Sequence, residues 1–217
     1  MTTPSAQLPS RRLLFVLAIV ILASGATAAA WLIGNRLIRQ ADSLGKVPDR
    51  VGLNAPFITS PDAVVDQMVE MADLKEGDIA YDLGCGDGRI IITAALKTGC
   101  HGVGYDIDPQ RIAEARRNAK LHGVDHLVEF RQQDIFTADL SDADAVLMYV
   151  LPWMTRKLIP QLRQMQPGSR IVSHQFNLGE ESQLQPEKTV RIRVENDSSS
   201  HYVHRWTAPL KPVPNVR

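Results

Sequence analysis

The residues with the clearest chemical signal lie in one stretch, DLGCGDGR at residues 82–89, where glycine alternates with other residue types. Because glycine has no Cβ and tolerates positive φ, a ligand can pack directly against such a backbone. An apolar segment precedes the stretch and a helical pattern follows it, as in ligand-binding loops at the carboxyl ends of parallel strands. We therefore predict a ligand on this loop, and its candidate binding residues are Asp82, Gly84, Cys85, Gly86, Asp87 and Gly88.

The spacing within the loop narrows the class of ligand. The pattern DxGxGxG differs from the GxGxxG of dinucleotide loops and lacks the Gly-Lys-Ser/Thr ending of a phosphate-binding P-loop. Asp82 and Asp87 would repel a pyrophosphate, whereas they would attract a ligand with cationic groups. S-adenosylmethionine carries a sulfonium and an ammonium beside its adenosine, so we predict it as the cofactor.

Two further acidic residues end the next two predicted strands. Asp106, in GYDID, follows the loop by about twenty residues, where a carboxylate can accept both ribose hydroxyls. Asp134, in RQQDIF, is placed to accept the exocyclic amine of adenine. Ile107 and Ile135 follow these acids and are candidates for apolar or backbone contact with the cofactor. For Asp108, which stands before a proline, we predict the N-cap of a helix instead.

Three of these motifs carry a family resemblance. DLGCGDGR, GYDIDP and QQDIF resemble the nucleotide-binding motifs of class I S-adenosylmethionine-dependent methyltransferases, over about residues 57–207. The resemblance implies methyl transfer on a seven-stranded sheet that ends in an antiparallel hairpin.

A narrower resemblance adds an acceptor. FITSPDAVVDQM and PGSRIVSHQF, taken with the glycine loop, are similar to the membrane-anchored protein-lysine methyltransferases that modify adenine nucleotide translocase and the c-ring protein of ATP synthase, and to their prokaryotic relatives. That group implies a lysine acceptor in a protein substrate, with membrane proteins among the candidates, and adds Phe57, Ser60 and Pro61 to the cofactor site. A small or lipid-soluble acceptor, or cofactor binding without catalysis, stay open as alternatives.

The fourth predicted strand ends in MYVLPW, at the place that normally faces the transferred methyl group. Tyr149, Pro152 and Trp153 are the candidate catalytic residues, because an aromatic wall favours a sulfonium or a methylated amine. Ordinary core packing is the alternative for both aromatic side chains. The Asn/Asp-Pro-Pro-aromatic motif of enzymes that methylate amide or base nitrogens is missing from this strand end. For His174, at the end of the fifth strand, a structural role is favoured.

Strand and helix patterns alternate from about residue 57 onward, which predicts a Rossmann-like α/β fold with a doubly wound, largely parallel sheet. The last two strand patterns, at 188–196 and 200–208, alternate apolar and polar residues around a polar turn. They predict a C-terminal antiparallel hairpin.

The N-terminus carries 21 uncharged residues at 13–33, enough for a helix spanning roughly 30 Å of hydrocarbon. We predict an uncleaved, single-pass anchor, with a signal peptide that ends near Ala26-Thr27-Ala28 as the alternative. The flanking basic residues favour a cytoplasmic catalytic domain, and export is the alternative. The predicted organisation is a tail at 1–12, the anchor at 13–33, a linker at 34–56 and a methyltransferase domain at 57–217.

The composition limits the partners. Lys and Arg together number 24, as do Asp and Glu, so no net charge draws the chain to nucleic acid and we predict none as partner. The two cysteines are too few and too isolated for a disulfide framework or a metal clip, and we predict no metal. The predicted partners are a protein substrate and, through the N-terminal segment, a lipid bilayer.

Overall fold

A computed structural model describes residues 57–178, 184–195 and 197–211. The predicted tail, anchor and linker lie outside these residues. Within the described part of the chain, no helix is long and apolar enough to cross a membrane. The described residues within 59–192 and 201–211 form one compact unit. Phe57, Ile58 and residues 193–200 belong to a second unit.

Seven strands form a single sheet in the order β3-β2-β1-β4-β5-β7-β6. All pairs from β3 to β5 are parallel, and β7 lies antiparallel to β5. The predicted Rossmann-like sheet with its C-terminal antiparallel hairpin is thus confirmed. The strands are β1 (Ile79–Leu83), β2 (His101–Asp106), β3 (Val128–Gln132), β4 (Ala145–Met148), β5 (Arg170–His174), β6 (Lys188–Arg193) and β7 (Ser200–Thr207), and the helices are α1 (Asp62–Ala72), α2 (Arg89–Thr98), α3 (Pro109–Leu121) and α4 (Pro152–Leu162), with a short 3-10 helix at Ile135–Thr137.

The strand order reverses between β1 and β4, because the chain builds outward through β2 and β3 and then returns to the other side of β1. In open α/β sheets the carboxyl ends of the strands at such a reversal flank the ligand crevice. Asp82 on β1 lies in register with Gly104 on β2 and with Leu147 on β4. The loops after β1, β2 and β4 therefore share one edge of the sheet.

The helix ends follow local signals in the sequence. Asp108 caps α3, as predicted, since its carboxylate accepts the backbone N–H of Gln110 and Pro109 occupies the first helical position. The sequence pattern predicts a helix at 153–166, whereas α4 begins one residue earlier, at Pro152, and ends at Leu162. The largely apolar run at 144–151 predicts a strand, whereas β4 ends at Met148 and the chain leaves the sheet before Pro152 opens α4.

The hydrophobic core covers both faces of the central strands. All four residues of β4 are fully buried, and the inward side of α4 packs there through Leu158 and Leu162. Trp206 of β7 joins the same cluster, and its indole N–H donates to the carbonyl of Leu184. Each buried aliphatic side chain contributes about 1.5–3 kcal/mol relative to an exposed one. The strand ends that carry the site are thus held by a dense core.

Candidate functional site

The glycine-rich stretch forms a turn that folds back onto β2. The backbone N–H groups of Gly84 and Cys85 both donate to the carbonyl of Tyr105, at 2.8 and 2.9 Å, and Gly88 donates to Cys85 at 2.8 Å. All three glycines have positive φ: 79° at Gly84, 54° at Gly86 and 82° at Gly88. This conformation is the one that L side chains rarely adopt, so it explains why glycine recurs in the loop.

Two of the glycines also leave no space for a side chain. A Cβ at Gly84 would lie 3.2 Å from Cγ1 of Val150, and one at Gly88 would lie 2.9 Å from the ring of Phe130. The turn is therefore packed against β3, α3 and the residues that follow β4. Its exposed surface is main chain, most directly at Gly84, which is exposed.

Asp82 is an unusual residue beneath this turn. It is fully buried, and neither of its carboxylate oxygens has a hydrogen-bond partner among the described residues. Burial, followed by repulsion from Asp106 and Asp87, raises its pKa to about 8, and the backbone of Ile91 only partly opposes the shift. An unpaired buried carboxylate is costly unless a cation or donor meets it. This position therefore calls for a cation or a hydrogen-bond donor.

The second acidic residue of the loop, Asp87, already has a cationic partner. Its carboxylate accepts hydrogen bonds from Nε and Nη2 of Arg89, at 2.6–3.1 Å, and this raises the pKa of Arg89. The third guanidinium nitrogen, Nη1, donates to the carbonyl of Ser60 at 3.1 Å. Arg89 thus joins the loop to the segment before α1.

The strand-end acids Asp106 and Asp134 organise the backbone around the site. The two oxygens of Asp106 accept the N–H groups of Gly86 and Asp108, both at 2.9 Å. Asp134 caps the 3-10 helix by accepting the N–H of Phe136 at 2.9 Å. Each carboxylate oxygen has a second lone pair, so both residues retain acceptor capacity toward a ligand.

The remaining predicted cofactor residues differ in exposure. Ile107 is 37% exposed and Phe57 is 46% exposed, whereas Ile135, Ser60 and Cys85 are buried. Pro61 is half-buried and stands immediately before α1, with φ of −60°. Burial, reinforced by Asp82, raises the pKa of the Cys85 thiol, so this side chain is neutral. A neutral buried thiol packs as a small apolar group.

These residues fit S-adenosylmethionine. The bare turn offers main chain to a ligand, and Asp106 and Asp134 offer acceptors at the two neighbouring strand ends. The oxygens of Asp82, which have no partner among the described residues, would be satisfied by a cation or a donor. The roles assigned to single residues in this site remain predictions.

The predicted catalytic residues begin where β4 ends. The ring of Tyr149 lies 4.0 Å from the ring of His174, centroid to centroid, and stacks on Phe176 at 6.3 Å. Trp153 instead lies 5.8 Å from Phe136, and Pro152 is the first residue of α4. Tyr149 therefore faces β5, whereas Trp153 contacts the 3-10 helix beyond β3.

The structure adds a hydrogen-bonded group that sequence reasoning did not assemble. His174 is fully buried; its Nδ1 lies 2.8 Å from Oγ of Ser60 and its Nε2 lies 3.0 Å from Nδ1 of His201. The three residues are far apart in sequence, so no local pattern joins them. The only sequence signal was the place of His174 at the end of a predicted strand, which is where it lies.

Three comparisons with known proteins agree on the kind of protein. A family model described as the ANTKMT methyltransferase domain matches residues 82–187. A protein-lysine N-methyltransferase of Saccharolobus islandicus (strain REY15A) is 37% identical over 155 residues, which cover 70% of this chain and 93% of that protein. An adenine nucleotide translocase lysine N-methyltransferase of Mus musculus is 29% identical over 165 residues, which cover 75% of this chain and 69% of that protein.

A solved structure is also similar over most of its length. The crystal structure of an RNA methyltransferase from Salinibacter ruber in complex with S-adenosyl-L-homocysteine is 45% identical, with a TM-score of 0.64. The match covers 74% of this chain and 99% of that one.

Proposed function

Because this chain belongs to the class I S-adenosylmethionine-dependent methyltransferases, in the family that includes the protein-lysine N-methyltransferases, we propose that its methyl acceptor is the side-chain amine of a lysine in a protein. Family membership confirms the predicted cofactor and the predicted methyl transfer. The lysine acceptor is the proposal. It is supported by the names of the relatives and by the rings that contact Tyr149, which are those of Phe176 and of the neutral His174.

The observation that carries the proposal is the position of Tyr149 against a neutral His174 at the end of β4. The next residue, Val150, packs on Gly84 of the cofactor loop, so this strand end adjoins the loop directly. A lysine must lose its proton before it attacks, and a partly desolvated site beside a neutral ring favours the neutral amine by lowering its pKa.

When bound, S-adenosylmethionine supplies an electrophilic methyl group on a sulfonium. The chain contributes binding and orientation: Asp82 neutralises positive charge beneath the loop, and Asp106 and Asp134 offer acceptors to the adenosine. Tyr149 and Trp153 provide aromatic surface for the acceptor side. Positioning of the nucleophile at about 3–3.5 Å from the methyl carbon accounts for much of the rate in such a displacement.

The proposed enzyme is anchored in a membrane by residues 13–33, with its catalytic domain in the cytoplasm, where we expect the methyl donor. The length of this uncharged segment supports the anchor. An anchored enzyme meets membrane proteins in preference to soluble ones, so we include a membrane protein among the proposed substrates. Protease treatment of sealed, right-side-out vesicles tests the orientation, because a catalytic domain on the cytoplasmic side is enclosed there and stays intact.

RNA is the second candidate acceptor, because the similar Salinibacter ruber protein is described as an RNA methyltransferase. The balanced charge of this chain speaks against it, since RNA-binding domains carry an excess of Lys and Arg.

The experiment uses the purified full chain in detergent with radiolabelled S-adenosylmethionine, and membranes and RNA from its source cells after deletion of the gene. Label that is removed by proteinase, and that appears as methyl-lysine after acid hydrolysis, is the expected result. Label that is removed by ribonuclease, or that is extracted with lipid, contradicts a lysine acceptor. The Asp82→Asn variant, which we expect to bind the cofactor weakly, controls for transfer by contaminating enzymes.

A further inference from the structure

The buried ring of His174 contacts three residues from separate parts of the fold, and one of them is the predicted catalytic residue Tyr149. Its ring has hydrogen-bonding contacts on both edges, to Ser60 at 2.8 Å and to His201 at 3.0 Å, and an aromatic contact on its face to Tyr149 at 4.0 Å. The interplanar angle between the two rings is 37°. A ring that is held by two edges has a defined plane, and the neighbouring Tyr149 ring packs against it.

The protonation state of His174 is part of this arrangement. Burial, followed by repulsion from His201 and His204, lowers its pKa to about 3, so the ring is neutral at physiological pH. A neutral imidazole has one N–H donor and one acceptor nitrogen. One edge therefore donates while the other accepts, and the hydrogen bonds to Ser60 and His201 must be oriented together.

The groups around His174 come from four elements. Ser60 precedes α1, Tyr149 follows β4, Phe176 follows β5, and His201 and His204 lie on β7. No carboxylate is bonded to His174 in the described part of the chain. The ring therefore has no ionised orienting partner of the kind that a general base has.

The same histidine is connected to the cofactor loop through its neighbours Ser60 and Tyr149. The carbonyl of Ser60 accepts from Arg89, whose guanidinium binds Asp87 in the loop. Val150, the residue after Tyr149, packs on Gly84. The Ser60–His174 pair thus reaches the loop through Arg89 and contacts the Tyr149 ring directly.

We propose that His174 is a positioning residue: held in plane by Ser60 and His201, it fixes the Tyr149 ring at the place where the methyl acceptor binds. It touches neither the cofactor loop nor, through its own nitrogens, the acceptor. Its loss should slow methyl transfer and leave cofactor affinity unchanged. The placement of the acceptor beside Tyr149 rests on the proposed function.

A double-mutant cycle tests this role. We expect His174→Gln to slow single-turnover transfer of label to membrane protein by roughly tenfold or more, since misplacement by about 1 Å can cost a hundredfold. If His174 acts through Tyr149, the double variant with Tyr149→Ala is no slower, within about twofold, than Tyr149→Ala alone. Rate losses that multiply overturn the proposal, and so does a parallel loss of affinity for S-adenosylhomocysteine in calorimetry. His126→Gln, at an exposed position, is the matched histidine control and should behave as the unmodified protein.

A second measurement uses the unmodified protein and needs no substrate. In the full chain labelled with ¹⁵N-histidine, His174 should show one protonated and one unprotonated ring nitrogen at every pH from 8 to 5. The Tyr149 ring protons should carry ring-current shifts from the imidazole. Protonation of His174 in that range, or Tyr149 shifts like those of free tyrosine, overturns the proposal. If the unmodified protein labels no membrane protein, the lysine acceptor fails, while this measurement still tests whether His174 is neutral and contacts Tyr149 as the positioning role requires.

Discussion

The cofactor loop and the Tyr149–His174 region lie at the same edge of the sheet and contrast in their electrostatics. Beneath the loop, Asp82 is buried with no hydrogen-bond partner among the described residues. In the other region, His174 is buried just as deeply, yet it is neutral and both of its ring nitrogens have partners. One region is incomplete until a cationic ligand binds, whereas the other is satisfied within the protein itself.

This difference has a physical consequence. A buried group that awaits a ligand lowers the stability of the free protein, and ligand binding recovers the loss. A buried group that is already paired stabilises the protein and orients its neighbours without ligand. We expect cofactor binding to stabilise the protein through the loop and to leave the Tyr149–His174 region largely unchanged.

The largest expected effect belongs to the turn itself. Gly88→Ala should lower the free energy of unfolding by about 2–4 kcal/mol and abolish cofactor binding, because the new Cβ meets the Phe130 ring at positive φ. Gly123→Ala is a matched control, since its φ is also positive, at 71°, but its Cβ would meet nothing within 4 Å. It should cost only about 1 kcal/mol, from backbone strain alone. If both variants lost the same free energy of unfolding in urea, the clash between the new Cβ and the Phe130 ring would contribute nothing to the effect of Gly88→Ala.

The second effect concerns the unpaired carboxylate. Asp82→Asn should weaken binding of S-adenosylhomocysteine roughly 10- to 100-fold, because a charge-assisted interaction is worth about 1.5–3 kcal/mol. Calorimetry measures the affinity, and Asp139→Asn, at a fully exposed position, serves as the control. Unchanged affinity in Asp82→Asn would mean that the buried carboxylate does not meet the ligand.

The two regions should respond to pH with opposite sign. The raised pKa of Asp82 means that the folded protein binds more protons than the unfolded chain between about pH 3.8 and pH 8. The contribution of Asp82 to the free energy of unfolding therefore falls as pH rises through that window. The lowered pKa of His174 means that the unfolded chain binds more protons between about 3 and 6.5, so stability is lost as pH falls there. Denaturant unfolding of Asp82→Asn and His174→Gln at several pH values isolates each slope by difference from the unmodified protein. A difference that does not vary with pH would contradict the corresponding assignment.

Cofactor binding should also release protons from the loop. With a pKa of about 8, Asp82 is about 90% protonated at pH 7, and pairing with an ammonium ionises it. Calorimetry of S-adenosylhomocysteine in buffers of different ionisation enthalpy should therefore report a release of up to about 0.9 proton at pH 7, and almost none at pH 9.5. Adenosine, which lacks the ammonium, should release far less. Identical proton release from adenosine would place the titrating group elsewhere.

The smallest effect separates two neighbouring acids. Asp108→Ala should cost about 1 kcal/mol of stability through the lost cap on α3 and leave cofactor affinity within about twofold. Asp106→Ala should instead weaken cofactor binding, since the carboxylate of Asp106 also accepts a hydrogen bond from the N–H of Gly86. If both substitutions reduced affinity equally, the loop would depend on the whole GYDID segment and not on one carboxylate.

Much of the fold follows from local patterns in the sequence. The alternation of strands and helices, the N-cap at Asp108 and the terminal hairpin all depend on residues close together in the chain, and the structure has each of them. The end of β4 was predicted three residues too late, because apolar residues continue through Tyr149, Val150 and Leu151 after the chain has left the sheet. Burial alone does not distinguish a strand from the buried turn that follows it.

The amino-acid sequence by itself determined the identity of the loop, since only glycine adopts three positive φ values in eight residues without strain, and it determined the acids at the three strand ends. Tertiary structure alone decided which of these acids are satisfied. Arg89 neutralises Asp87 and leaves Asp82 unpaired, and Ser60 and His201 meet at His174 from positions 114 and 27 residues away. Charge pairing and burial depend on distances that the order of residues does not contain, so the contrast between the two regions exists only in the folded protein.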